Sequence, residues 1–161
     1  TGLSDWSNER IVKYLDACNP DVIQPYRNIV DNTYEESGLK NIVNKNNLGV
    51  CFFSPLKHGL LTGKYKTTTV FEDGDHRSGI KDFQNIDKIK NILLNCKKLE
   101  KKFSHYENPI MHGIVNALFF DSPTGCVLLG QRNINQVETA SSLGEILSEE
   151  DTNWVKSLYK I

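Results

Sequence analysis

The stretch FFSPLKHGLLTGKY, Phe52 to Tyr65, sets Gly59, Gly63 and Lys64 directly behind an apolar run. Closely spaced glycines beside a lysine suggest phosphate chemistry, because backbone amides and one ammonium can surround an anion. A Walker-type loop requires G-x-x-x-x-G-K-[ST]. Here the glycines are closer together, and Tyr65 stands where Ser or Thr would meet magnesium. A nucleoside triphosphatase is therefore excluded. The glycines alone mark a tight turn, and Lys64 remains able to meet a phosphate as a point charge.

Other residues add weaker signals. Gln24 closes a short apolar run, and a buried amide there needs partners, either a loop carbonyl or a ligand carboxamide. Arg132 follows Gly130 and precedes a helix start at Ile134, where an anion could meet guanidinium and helix amides together; a solvated arginine is the plain alternative. Phe52 and Phe53 point to opposite faces of a strand, so only one can reach a cleft mouth. His58, His76, His105 and His112 each stand without a paired nucleophile or carboxylate, and read as structural or solvated. Asp73 and Asp75 lie in a turn-rich surface run. Cys18, Cys51, Cys96 and Cys126 are scattered, with no metal-ligand spacing, and read as buried thiols; no metal site is expected.

The elements that must position these residues alternate strand with helix. Gly2 to Ser4 reads as the tail of a strand, and Ser7 can cap a helix over Asn8 to Cys18 with Ile11, Tyr14, Leu15 and Cys18 on one face. Asp21 to Gln24 reads as a strand, followed by a helix from about Thr33 to Asn46 with Leu39, Ile42 and Val43 inward. Gly49 to Ser54 predicts a parallel strand covered on both sides. Residues 65–83 form a surface excursion without periodicity. A long helix follows from about Ile86 to Phe103, with Ile89, Leu93, Cys96 and Leu99 inward. Asn108-Pro109 opens a helix to about Phe120. Gly125 to Gly130 is another buried strand, and helices over Ile134 to Leu143 and Glu149 to Tyr159 close the chain. This alternation predicts a parallel sheet with outer helices and a site at the carboxyl ends of the strands.

Composition narrows the partners. The 161 residues carry 19 basic and 20 acidic side chains, a formal charge of −1, so no global field points to nucleic acid or to membrane. No apolar stretch approaches the roughly 20 residues that span a bilayer, and a cytoplasmic protein is expected. One domain over residues 1–161 fits the length. Thr1 is not a methionine, so a fragment or processed product is one reading of the chain.

Five ordered motifs, GLSDWS, VIQPYRNIVD, FFSPLKHGLLTGKY, GDHRSGIKDF and VLLGQRNINQVETASSLGEILSEED, together resemble the second half of the aldo/keto reductase family, in the branch of the potassium-channel beta subunits and related bacterial reductases. The resemblance implies an α/β fold, namely strands five to eight of a TIM-type (β/α)8 barrel that binds NADP at its carboxyl face. It implies that Ser4 and Gln24 hold the nicotinamide carboxamide and that Phe53 replaces the usual tyrosine or tryptophan as stacking platform. Ser54, Pro55 and Leu56 would line the pyrophosphate path, with Lys64 and Arg77 reaching the phosphates. Gly130, Arg132 and Gln136 would meet the adenosine end, Arg132 at a 2'-phosphate.

Two departures qualify the resemblance. Asp5 stands where many relatives have asparagine or arginine, which the resemblance implies puts a carboxylate at the cofactor near the nicotinamide; Thr139 and Ala140 stand where many carry Glu-Asn after Gln-x-x, so weakened NADP binding is expected. The family's tetrad of aspartate, tyrosine, lysine and histidine precedes the point where this chain begins, so no catalytic residue is assigned and the chain alone is expected to be inactive. Four strands would leave two sheet edges, inviting a homodimer or pairing with a first half. The expected function is the NADP-binding half of an oxidoreductase moving hydride between NADPH and a small aldehyde or ketone; the alternative is a non-catalytic half barrel with a sensing, structural or partner-binding role.

Overall fold

The computed structural model describes residues 1–122 and 125–159, so the last two residues of the expected 1–161 domain lie outside the described residues. Four short strands, β1 (Gly2–Ser4), β2 (Val22–Gln24), β3 (Gly49–Phe52) and β4 (Gly125–Val127), form one parallel sheet in the order β1-β2-β3-β4. Each strand is followed by helix before the next begins, as parallel neighbours require. The register aligns Ser4 with Gln24 and Cys51 with Cys126.

Helix α1 (Asn8–Cys18) is capped by Ser7, whose side chain accepts from the Arg10 amide, and Asn19 ends it in a left-handed conformation. Its buried face runs through Asn8 and Ile11, with Val12 and Leu15 half-buried beside them. Tyr14 and Cys18, expected inward, are exposed, while Leu15 between them packs on the core. The helix expected over Thr33 to Asn46 is two helices, α2 (Thr33–Glu36) and α3 (Leu39–Asn46). Gly38 separates them at φ 81°, a left-handed angle that glycine adopts without a Cβ penalty. Leu39 and Val43 still point inward.

Helix α4 (Ile86–Lys102) buries Ile89, Ile92, Cys96 and Leu99, and packs with α5 (Pro109–Phe119) and α7 (Glu149–Tyr159). Asn108 does not cap α5; its amide donates to Ser142 Oγ at 2.8 Å. Helix α6 (Ile134–Ser141) is capped by Asn133, and α7 is opened by Ser148, whose hydroxyl accepts from the Asp151 amide at 3.1 Å.

Two cores result. One holds Ile11, Ile23, Tyr34, Leu39, Val43, Val50 and Phe52 between the sheet and helices α1 to α3. The other joins α4, α5 and α7 to the glycine loop through Leu60, Leu61 and Phe83. Residues 65–83 are thus no plain surface excursion: Phe83 is fully buried and meets Tyr65 and Phe71 edge to face, at 4.9 Å from each. The buried aromatic set was hidden because its members lie too far apart in sequence to form a period.

The sheet is covered on one face only, which corrects the expectation for β3 and β4. Ile23, Val50 and Phe52 pack under helices. Side chains alternate along a strand, so Ser4, Val22, Gln24, Cys51, Cys126 and Leu128 share the opposite face. There Ser4 and Cys126 are exposed, and Val22 and Leu128 are 43% and 47% exposed. Of the four cysteines only Cys96 is buried, against the expectation for all of them.

Candidate functional site

The carboxyl ends of β3 and β4 open into a cleft of about 530 Å³. Its walls bring together Phe53, Ser54, Pro55, Leu56, Lys64, Arg77, Gly130, Arg132 and Gln136, along with Thr139. These come from three separate segments, and all but Thr139 are residues that the resemblance placed at the cofactor. Ser4, Asp5 and Gln24 are not among the cleft-lining residues; Ser4 and Gln24 lie side by side at the ends of β1 and β2. Asp5 faces its own helix: its carboxylate accepts from the Ser7 amide at 3.0 Å and meets Arg10 Nε at 3.0 Å. The charge that distinguishes it from asparagine is therefore balanced locally.

Phe53 continues β3 beyond its ladder through a bridge to Tyr26, and the two rings meet edge to face at 5.5 Å. Asn8 fixes that segment, its side chain accepting from the Tyr26 amide and donating to the Tyr26 carbonyl, both at 2.9 Å. Ser54 then turns the chain at φ 59°, and its Oγ is buried with no hydrogen-bond partner among the described residues. A buried hydroxyl without a partner costs about 1–3 kcal/mol, so its placement in a cleft wall fits a ligand acceptor or donor.

The glycine loop is held from below at three points. Lys57, Lys57's neighbour His58 and Gly59 all adopt left-handed φ, of 48°, 55° and 85°. This turns Lys57 away from the cleft, where its Nζ lies 2.8 Å from both Asp31 and Asp82. Leu60 and Leu61 are buried in the helical core, each contributing about 1.5–3 kcal/mol of apolar burial. The Cys96 thiol donates to the Leu61 carbonyl at 3.6 Å. Burial lowers the ease of ionising that thiol and pushes it up to about 11.

The cations of the cleft differ in availability. Lys64 lies over the Tyr65 ring at 4.8 Å and is otherwise exposed. Arg77 is occupied: Nε lies 2.9 and 3.1 Å from the two Asp75 oxygens, Nη1 donates to Tyr65 Oη at 3.1 Å, and the guanidinium lies 4.4 Å from the Phe71 ring centre. Its hydrogen bonds hold the Asp75 carboxyl well below the usual carboxylate range. Arg132 is exposed, and its guanidinium has no ion pair among the described residues. Its backbone amide donates to Gln136 Oε1 at 2.6 Å, tying the loop to α6. The Thr139 hydroxyl donates back to the Asn135 carbonyl at 2.8 Å, so its proton is engaged and it can meet a ligand only as an acceptor.

Sequence reasoning missed one pair. His58 and His76 line the same cleft, with His58 Nδ1 and His76 Nε2 3.0 Å apart. They are 18 residues apart in the chain, and only the folded excursion brings them together. Among the described residues no group of three or more metal-ligating side chains exists, and no helix is long and apolar enough to cross a membrane.

Known proteins share this fold. The chain is 26% identical to a glycerol dehydrogenase from Gluconobacter oxydans, whose structure superposes with a TM-score of 0.79 over 98% of this chain and 47% of that one. It is 27% identical over 159 residues to the aldo-keto reductase YhdN of Bacillus subtilis, a match that covers 98% of this chain and 47% of that one. It is 35% identical over 85 residues to L-glyceraldehyde 3-phosphate reductase of Escherichia coli, across 50% of this chain and 25% of the relative. The chain thus spans about half the length or less of the relatives it matches. The family model for the aldo/keto reductases matches residues 1–160, and the chain belongs to the aldo/keto reductase family.

Proposed function

We propose that this chain is the dinucleotide-binding half of an NADP-dependent aldo/keto reductase, corresponding to the fifth to eighth strands of the barrel. The observation that carries the reading is the buried, unpartnered Ser54 Oγ in a cleft that also holds Phe53, Lys64 and Arg132. Those residues fit the cofactor chemically. Phe53 offers a ring edge and face near the strand ends, Ser54 a hydroxyl for a phosphate or amide, Lys64 a point charge, and Arg132 a fork suited to a phosphate monoester. Ser4 and Gln24, adjacent on the open sheet face, would take the carboxamide end.

A bound nicotinamide supplies or accepts hydride, and the protein's task is to hold and orient it. The residues of this chain would bind the cofactor and exclude water from one side of it. The acid that protonates a carbonyl oxygen would come from a complementary first half, whether on the same polypeptide or another. The uncovered sheet face, with Val22, Cys126 and Leu128 open to solvent, favours such a complement over a self-sufficient unit. A small aldehyde or ketone is the substrate class for the completed protein, and the 161-residue chain alone binds cofactor without turnover.

Calorimetric titration of NADPH and NADH into the chain tests this. Saturable binding that favours NADPH, with the preference falling about tenfold in Arg132→Ala, is expected from the loss of one charged hydrogen-bonding group. A folded chain that binds neither nucleotide would overturn the reading.

A further inference from the structure

The histidine pair is the feature of the cleft that the proposed cofactor reading does not use. His58 Nδ1 and His76 Nε2 are 3.0 Å apart, and the rings meet edge to face with centroids 4.8 Å apart. A hydrogen bond between two imidazoles needs one nitrogen to donate and the other to accept, so at least one ring is neutral. The basic groups around the pair make a second proton costly in the free protein. Lys57 lies beside His58 on the glycine loop, Lys64 follows on the same loop, Arg77 adjoins His76, and Arg132 lines the same cleft. The acidic groups are largely engaged: Asp75 grips Arg77 and lies 3.8 Å from His76 Nδ1, while Asp31 and Asp82 grip Lys57.

An anion entering the cleft would reverse that balance. It would screen the cations from one another and offer acceptors to both rings, each of which would then donate a charge-assisted hydrogen bond. Resting on the NADP reading, we propose that His58 and His76 form a proton-loaded anion-binding element that takes up a proton from solvent when a dinucleotide pyrophosphate enters the cleft. The incoming proton occupies the ring nitrogen that had accepted the inter-histidine bond. With both rings protonated that bond is lost, and each N–H turns to a phosphate oxygen. The direction agrees with the free protein, where burial first, and then the charges of His76, Lys57 and Arg77, hold His58 below the ordinary histidine range.

ADP-ribose is the appropriate probe, because it carries the pyrophosphate without a 2'-phosphate that would itself titrate near neutrality. Calorimetry near neutral pH in two phosphate-free buffers of different ionisation heat should show net proton uptake on binding, with affinity rising several-fold as pH falls from 8 to 6. The double variant His58→Asn/His76→Asn should bind without uptake and with flattened pH dependence. Proton NMR titration of the wild-type chain gives a second readout: both imidazoles should titrate at higher pH with ADP-ribose than without it. Binding with no proton uptake, or uptake that survives in a folded double variant, overturns the histidine proposal alone. Absence of ADP-ribose and NADPH binding at every pH overturns the cofactor reading and this one together.

Discussion

Lys57 Nζ lies 2.8 Å from the Asp31 carboxylate, joining the glycine loop to a segment 26 residues earlier. The same ammonium meets Asp82 at 2.8 Å, and Asp82 in turn holds Lys88 at 2.9 Å. Lys57 is only 10% exposed, so its charge is compensated by carboxylates more than by water. The left-handed backbone at Lys57 and His58 lets adjacent side chains point to opposite sides, lysine into this network and histidine into the cleft.

Lys57→Met should therefore destabilise the chain by about 2–4 kcal/mol, because it leaves two partly buried carboxylates without their shared cation. The loss should appear in urea unfolding as a lower midpoint at unchanged slope. A midpoint within error of wild type would show that the network is solvated enough to be dispensable.

Acid should remove the same stabilisation. Asp31 and Asp82 are pushed up by burial, but hydrogen bonds and charge from Lys57, with Tyr26 and Asn28 at Asp31 and Lys88 at Asp82, win and leave both below the ordinary range. A carboxylate with a depressed folded value stabilises above its unfolded value and loses that contribution as pH falls through the folded one. Unfolding midpoints should fall from about pH 5 downward, and Lys57→Met should show a shallower fall. Parallel curves for the two proteins would count against the network as the source.

Gly63 closes the loop at φ 75°, and a Cβ there would stand 3.1 Å from Cys96 Sγ. Gly63→Ala should destabilise by about 1–2 kcal/mol from the left-handed backbone, with a further loss from the contact. Adding Cys96→Ala should recover the steric part and leave the backbone part, a coupling that a double-mutant cycle reads directly. Strict additivity would mean that the sulfur yields freely.

Much of this architecture was legible because local signals agreed. Ser7, Asn133 and Ser148 each precede a periodic run, and each caps a helix. The cleft-lining residues Phe53 to Leu56, and Gly130, Arg132 and Gln136, were legible through the family motifs, which put them after the carboxyl ends of strands. What the residues did not reveal depends on contacts distant in sequence. The inward turn of Lys57 needs Asp31 and Asp82, the His58–His76 pair needs the folded excursion, and the burial of Phe83 needs Tyr65 and Phe71. The break at Gly38 could have been read from the glycine itself, but a strong flanking period masked it.

The open sheet face offers a direct test for a complementary half. Cys126 and Cys18 are both exposed, but Cys126 lies on the uncovered face of β4 and Cys18 at the end of α1 on the helical side. Cys51, the register partner of Cys126, is half-buried and is pushed up to about 11 by desolvation and then by its neighbour. Because the thiolate is the nucleophile, a maleimide should modify Cys18 and Cys126 first in the isolated chain, with Cys51 slow and Cys96 reactive only on unfolding. When a complementary four-stranded half covers the sheet, Cys126 should become protected and Cys18 should not. Mass spectrometry of labelled peptides separates the two sites. Equal reactivity of both cysteines in an active, assembled reductase would show that the complement does not close over this face, and would remove the main physical argument for barrel completion there.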